Sequence, residues 1–323
     1  MTWHVAGLHR LDGIIWALVA AVAGLDLMAA AFGGFSVALG SYAAPAGTCL
    51  LLALAARYYG GRRNDPNLSS ALESTAQVIA FAAVAAQPLS YIAAAAALPL
   101  QDAAFDSMDR ALGFDRKALL AVMERWPEFY VGLRIFYLSL TVQMTAVVLL
   151  LGFTGRLPWL RVYTLAFVFA ALVTIAVSAL LPAEGVWLHY GLNGAHAASM
   201  PMTHSSWPVF LGLRDGTVRM LAAAGAEGII TFPSLHAALA VILIAAFWPV
   251  PVLRWLGAGV NSLMLAATPI DGSHYFVDVL AGIGIAVLSL AAARALVVRL
   301  AAPAAAPASL DIVPAAGMPA PSR

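Results

Sequence analysis

Two short segments in the C-terminal half carry residue types that do chemistry. One is Phe232-Pro233-Ser234-Leu235-His236-Ala237-Ala238; the other is Asp271-Gly272-Ser273-His274-Tyr275-Phe276-Val277-Asp278. His274 and Asp278 stand four apart, so a helix beginning there sets them on one face. A carboxylate so placed keeps one imidazole nitrogen protonated and leaves the other free as nucleophile or base. Pro233 suits a first helical turn, where Ser234 and the unpaired N–H groups offer an anion site. His236 is then placed to protonate a leaving oxygen. Upstream, Arg214 and Arg219 supply fixed positive charge that suits phosphate oxygens. This pattern predicts phosphoryl transfer through a covalent phosphohistidine, splitting one displacement into two, with no metal or organic cofactor.

Those segments must be held by a membrane protein. Of 323 residues, 62% are hydrophobic and only 10% charged, and mean hydropathy is +0.88. A soluble domain carries roughly 25% charged residues. A net charge of +1 gives no basic field for nucleic acid. The lone Cys49 excludes an intramolecular disulfide. The start of the chain, with His4, His9, Arg10 and Asp12, lacks the layout of a cleaved signal, so the first apolar run reads as a retained helix.

The fold class expected is all-α, a polytopic transmembrane bundle of about six to eight helices. Eight candidate spans lie near 13–32, 36–56, 74–98, 133–153, 162–181, 231–248, 253–270 and 275–298. N-terminal helices occupy 1–100, and an amphipathic interfacial segment 101–132. The catalytic transmembrane part occupies 133–300, followed by a disordered Ala/Pro-rich tail over 301–323. The loop over 183–230 is long enough to suggest a task, such as gating substrate. Arg10, Arg57, Arg62, Arg63, Arg156, Arg161, Arg254, Arg294, Arg299 and Arg323 fall on one side of an eight-span scheme, which makes that side cytoplasmic and sets the site on the outer face.

Pro233-Ser234-Leu235-His236 and His274-Tyr275-Phe276-Val277-Asp278 resemble the second and third motifs of the type 2 phosphatidic acid phosphatase (PAP2) superfamily. More narrowly, they resemble its inositolphosphotransferase branch, which includes inositol phosphorylceramide synthase. The resemblance covers about 228–285 and extends back toward 160. It implies His274 as nucleophile, Asp278 as its orienting partner, His236 as acid, and a lipid substrate: phospholipid, ceramide, diacylglycerol or polyprenyl phosphate. The phosphatase-type first motif, a lysine with Arg-Pro seven residues on, is absent, and Arg214 and Arg219 are its candidate stand-ins. Where phosphatases carry Ser-Arg before the third-motif histidine, this chain has Ala267 and Thr268, and the threonine resembles the transferase branch. That branch often has His-His-Tyr where this chain has Ser273-His274-Tyr275.

Each residue also has a plainer reading. His236 and His274 could cap helix ends, Ser234 could only start a helix, and Arg214 and Arg219 could mark the membrane interface. His189, His196 and His204 are spaced by seven and eight, which fits no compact zinc pattern. Asp26 and Glu73 read as acids packed against neighbours, and Trp159, Trp187, Trp207, Trp248 and Trp255 as an interfacial belt. Two rival functions remain at this level. One is a lipid phosphate phosphatase, which would bring Lys117, the only lysine, into the pocket. The other is a non-enzymatic transporter or anion-binding protein, which paired inverted halves would support and none are visible.

Overall fold

Inside a bilayer each backbone N–H and C=O must find its partner within its own segment, so the apolar runs become helices. The computed structural model describes residues 5–191, 201–223 and 228–301. Its first four helices are α1 (Val5–Phe32), α2 (Ala43–Gly61), α3 (Pro66–Ala80) and α4 (Gln87–Ala95), the last two joined by a π-helical turn, Phe81–Ala86. Next come α5 (Asp102–Ala111), α6 (Arg116–Arg125), α7 (Pro127–Leu138), α8 (Leu140–Phe153) and α9 (Leu157–Leu180). The C-terminal half adds α10 (Val186–His189), α11 (Pro201–Asp215), α12 (Leu235–Phe247), α13 (Leu253–Asp271) and α14 (Phe276–Ala301). The strand pair β1 (Ser36–Val37) and β2 (Met220–Leu221) is parallel and only two residues long.

Among the described residues, five helices are long and apolar enough to cross a membrane: Gly7–Phe32, Leu39–Gly61, Pro66–Ala95, Leu157–Leu180 and Phe276–Ala301. The bent pair Pro127–Leu138 and Leu140–Phe153, at 41°, makes a sixth. The protein is thus an all-α integral membrane protein. The helices at the spans expected near 231–248 and 253–270 are not among these six. The 13 residues of α12 reach only about 20 Å at 1.5 Å per residue, short of a bilayer core. The α13 helix runs unbroken over 19 residues, with Asn261, Thr268, Pro269 and Asp271 all buried in the bundle. Polar groups that face protein need not be apolar enough for lipid.

The axle is α9. Of its apolar window 61% is buried, against 11% for α2, which lies on the outside. Around α9 pack Leu11 and Ile15 of α1, Phe81 and Ala85 of the π-helical turn, Val147 and Leu151 of α8, Ile242 and Leu243 of α12, and Ala293 and Val297 of α14. A buried polar knot crosses the same core. Arg161 on α9 meets Asp12 on α1 at 2.8 Å and donates to Ser74 on α3 at 2.6 Å, while Gln77 also donates to Asp12. Nearby, Trp16 donates to Glu73, so that acid is tied to α1 as the packing reading expected.

The two ends of the bundle differ. Gly152 packs on Ala71, Gly155 faces Asn67, and Gly7 lies against Leu300, so the α1 start, the α2–α3 turn, the α8–α9 turn and the α14 end share one end. That end carries Arg57, Arg62, Arg63, Arg156 and Arg299. At the other end, residues 99–130 form α5, α6 and the start of α7, amphipathic with much of the polar side turned inward. Asp102, Asp106, Asp109 and Arg116 are all buried there. His196 and the tail after 301 lie outside the described residues, as do the side chains of His204 and Lys117.

Breaking a buried ion pair on one side strands the other charge, at a cost of about 3–5 kcal/mol. Asp12→Ala should therefore sharply lower the melting temperature in detergent, and the paired change Asp12→Leu with Arg161→Met should recover most of the loss. Equal melting of wild type and Asp12→Ala would remove the pair from the account of this core.

Candidate active site

Helix α12 begins where the sequence places its Pro-Ser pair. Ser234 is its N-cap, accepting from Ala237 N at 3.3 Å, and the plain helix-start role is real. The same hydroxyl lies 3.1 Å from His274 Nε2, so Ser234 does both. The close approach is set by Gly282 of α14, where a Cβ would meet Ser234 O at 2.3 Å. One turn of chain holds His274 from behind: its Nδ1 lies 3.2 Å from Asp278 Oδ2, which also accepts from Tyr275 N at 2.9 Å. Burial pushes the His274 imidazole down to about 4. A neutral ring donating Nδ1–H to Asp278 leaves Nε2 with its lone pair.

His236 sits on α12 with its ring stacked on Tyr137 of α7, centroids 4.3 Å apart, and its Nδ1 is 3.3 Å from the Tyr137 hydroxyl. That contact engages Nδ1 and leaves Nε2 outside it. His236, His274, Ser273 and Asp271 all line one cavity of about 570 Å³. Its remaining wall is mostly apolar, including Ala82, Phe167, Ala171, Ile175 and Phe210, with Trp207, Gln87, Ser90 and Glu184 among it.

The backbone that presents His274 is braced by residues that carried no signal in the sequence. Asp109 of α5 accepts from Phe276 N at 2.8 Å and Val277 N at 2.9 Å, capping α14 from another element. Arg116 pairs with Asp109 at 3.3 Å and donates to the carbonyls of Pro269 and His274. Asp102 accepts from Glu184 N, Gly185 N and the Tyr275 hydroxyl, each at 2.9–3.0 Å. Ser273, one residue before the histidine, holds φ +56°, a costly conformation for a side-chain-bearing residue. Bonds from Trp187 N to its hydroxyl and from Val186 N to its carbonyl keep it there. Gly185 makes that approach, with φ +94° and space for no Cβ beside Ser273 Oγ.

The structure brings His274, Asp278, His236 and Ser234 together. It does not bring Arg214 and Arg219 to the cavity wall. Arg214 donates to Leu98 O and lies over the Phe210 ring, while Arg219 lies over Phe35 and donates to Leu213 O. Asp271 is a further residue of the site: its Oδ1 accepts from Tyr130 OH at 3.1 Å, and Arg134 Nε stands 3.9 Å away. His189 stacks edge-on against Tyr190 and Tyr275, and among the described residues no three His, Cys, Asp or Glu are grouped to hold a metal.

A buried His–Asp pair, a second histidine and an N-cap serine, all at one end of a transmembrane bundle, define a membrane protein built for phosphate chemistry on an amphiphile. The chain belongs to the PAP2 superfamily, whose model matches residues 103–292. That membership points to phosphatase or phosphotransferase activity on lipid phosphates. No curated protein and no solved structure matches this chain.

Asp109→Asn keeps the size but turns an NH2 group on an N–H of α14 and leaves Arg116 short of its counter-charge. Small misplacements of reacting groups cost about 100-fold. Turnover of a lipid phosphate should fall by about that factor, chiefly in kcat. An unchanged kcat would mean that the brace does not set the position of His274.

Proposed function

We propose that this protein is a lipid phosphotransferase of the inositolphosphotransferase type, acting through a phosphohistidine at His274. The observation that carries the reading is the geometry of His274 itself: Nδ1 held by Asp278, Nε2 at Ser234 on the wall of a cavity that also contains His236. In the first step Nε2 attacks phosphorus, and the bond to the leaving oxygen breaks as His236 gives that oxygen a proton. In the second step an acceptor hydroxyl attacks phosphorus, the P–N bond breaks, and His236 takes the proton back. Ser234 and the N-terminus of α12 stabilise the charge on the phosphoryl oxygens, with no metal required.

Transfer rather than hydrolysis is favoured by the size and chemistry of the cavity. A phosphate fills only a part of about 570 Å³, and the rest is apolar wall suited to a lipid chain. Thr268 and the missing Lys and Arg-Pro motif agree with the transferase branch. Arg214 and Arg219 act in this reading at longer range, as positive charge near the cavity mouth. Arg214 lies over the ring of Phe210, which lines the cavity.

The catalytic end faces outward in this reading. Support comes from Arg57, Arg62, Arg63, Arg156 and Arg299 at the opposite end, which marks the cytoplasmic side. A cysteine placed at Met220 of an otherwise Cys49→Ala protein should react in intact cells with a membrane-impermeant maleimide. Reaction only after lysis would invert the orientation.

With purified protein in detergent and EDTA present, phosphatidylinositol plus ceramide should give a new lipid carrying the headgroup phosphate. His274→Gln should give none. His236→Ala should lose about 1,000-fold on such an alkyl ester but far less on a nitrophenyl phosphate, whose leaving group needs no proton. Equal losses on both substrates would take the acid role from His236, and turnover by His274→Gln would end the phosphohistidine reading.

A further inference from the structure

Gln87 is the residue of this cavity that the two-histidine chemistry does not use. It lies on α4, on a different wall from His274, and lines the cavity. Both atoms of its side-chain amide are buried without a hydrogen-bond partner. Leaving a buried donor and acceptor unmet is expensive, and native structures retain such groups where they serve a purpose. The chain before it is a π-helical turn, Phe81–Ala86, whose Ala82 and Ala86 line the same cavity. Such wide turns recur at functional sites. Gln87 also stands outside residues 103–292, the part matched by the family. The catalytic wall is therefore the family's, and this wall is contributed by the N-terminal helices.

A second unmet group faces the same space. Asp271 is 3% exposed and lines the cavity, and while its Oδ1 takes the Tyr130 hydroxyl, its Oδ2 is buried without a partner. An anionic phosphate satisfies neither residue well. A carboxylate repels it, and the amide oxygen of Gln87 needs a donor that an ionised phosphate lacks. Arg134 stands 3.9 Å from Asp271 and offsets its charge, so a cationic ligand is not called for there either. What fits is a neutral group that offers both a hydroxyl and a carbonyl. From Ile175 to Phe167 the wall of α9 runs inward for about 12 Å and is apolar, which suits a chain attached to that group.

We propose that Gln87 and Asp271 form the acceptor subsite, holding a lipid alcohol whose hydroxyl neighbours an ester or amide carbonyl. The inference rests on the phosphotransferase reading of His274 and adds what decides between transfer and hydrolysis. The seated alcohol forms its O–P bond as the P–Nε2 bond to His274 breaks, and its proton goes to His236. Gln87 and Asp271 take no proton; they keep that hydroxyl, rather than water, next to phosphorus.

The test is a partition ratio. Wild type, Gln87→Met and Asp271→Asn are given phosphatidylinositol and ceramide, and transferred lipid is measured against free inositol phosphate. Each variant should lower the ratio of transfer to hydrolysis at least 10-fold. A merely structural defect lowers both products together, and an unchanged ratio in both variants overturns the subsite. So does a wild type that consumes the donor yet transfers to no lipid alcohol. Binding is read separately in the His274→Gln background, by the effect of diacylglycerol on tryptophan emission, since Trp207 lines the cavity. At least 10-fold weaker binding on adding Gln87→Met supports the subsite even if the wild type consumes no donor, a result that would sink the phosphotransferase reading alone. Equal binding with and without Gln87 overturns the subsite whatever the chemistry.

Discussion

The N-terminus of α14 is the constraint on which the site depends. A helix begins with N–H groups that have no partner within it, and here they begin in a buried place where water cannot serve every one. Asp109 takes two of them from a helix more than 160 residues earlier in the chain, and Asp278 takes the Tyr275 N–H just ahead of the helix. Arg116 then neutralises Asp109 and reaches the carbonyl of His274. The same arrangement that satisfies a helix end therefore fixes the backbone of His274. Fold and chemistry share a set of hydrogen bonds, and loss of a carboxylate is felt in both.

The division of labour follows from burial. Asp278 at 0% and His274 at 3% exposure are shielded from solvent, with Asp278 Oδ2 3.2 Å from His274 Nδ1 and Ser234 Oγ 3.1 Å from its Nε2. His236, stacked on Tyr137, is held by a different helix at the same cavity. Ser273 keeps its strained backbone because Trp187 and Val186 bond to it, and Asp102 in turn holds the loop before Val186. Burial at this end contrasts with α2, most of whose apolar surface is left for lipid.

Much of this was legible in the chain. His274 and Asp278, or Ser234 and His236, are neighbours in sequence, so local helical spacing is enough to put each pair in one place. The hydrophobic runs announced the membrane. Asp102, Asp109 and Arg116 were invisible as site residues because they lie in a segment with the composition of an exposed amphipathic helix; their partners are about 80 to 170 residues away. Gln87 was hidden in an alanine-rich span, where nothing local marks an amide that faces a cavity. Arg214 and Arg219 carry charge on the right side of the membrane, but proximity in a loop does not aim a guanidinium, and a carbonyl and an aromatic ring engage each of them. Helix count was blurred for a related reason. Residues 253–270 are apolar enough to suggest a span, yet their polar positions face protein rather than lipid.

The central claim is a covalent bond from phosphorus to His274. Rapid quenching of the protein with phosphatidylinositol labelled at phosphorus, followed by peptide mapping under alkaline conditions, reads it directly. The account predicts label on the peptide containing His274, discharged when diacylglycerol is added and absent from His274→Gln. Turnover of the lipid with no label on any histidine, or with label that survives in His274→Gln, would contradict it.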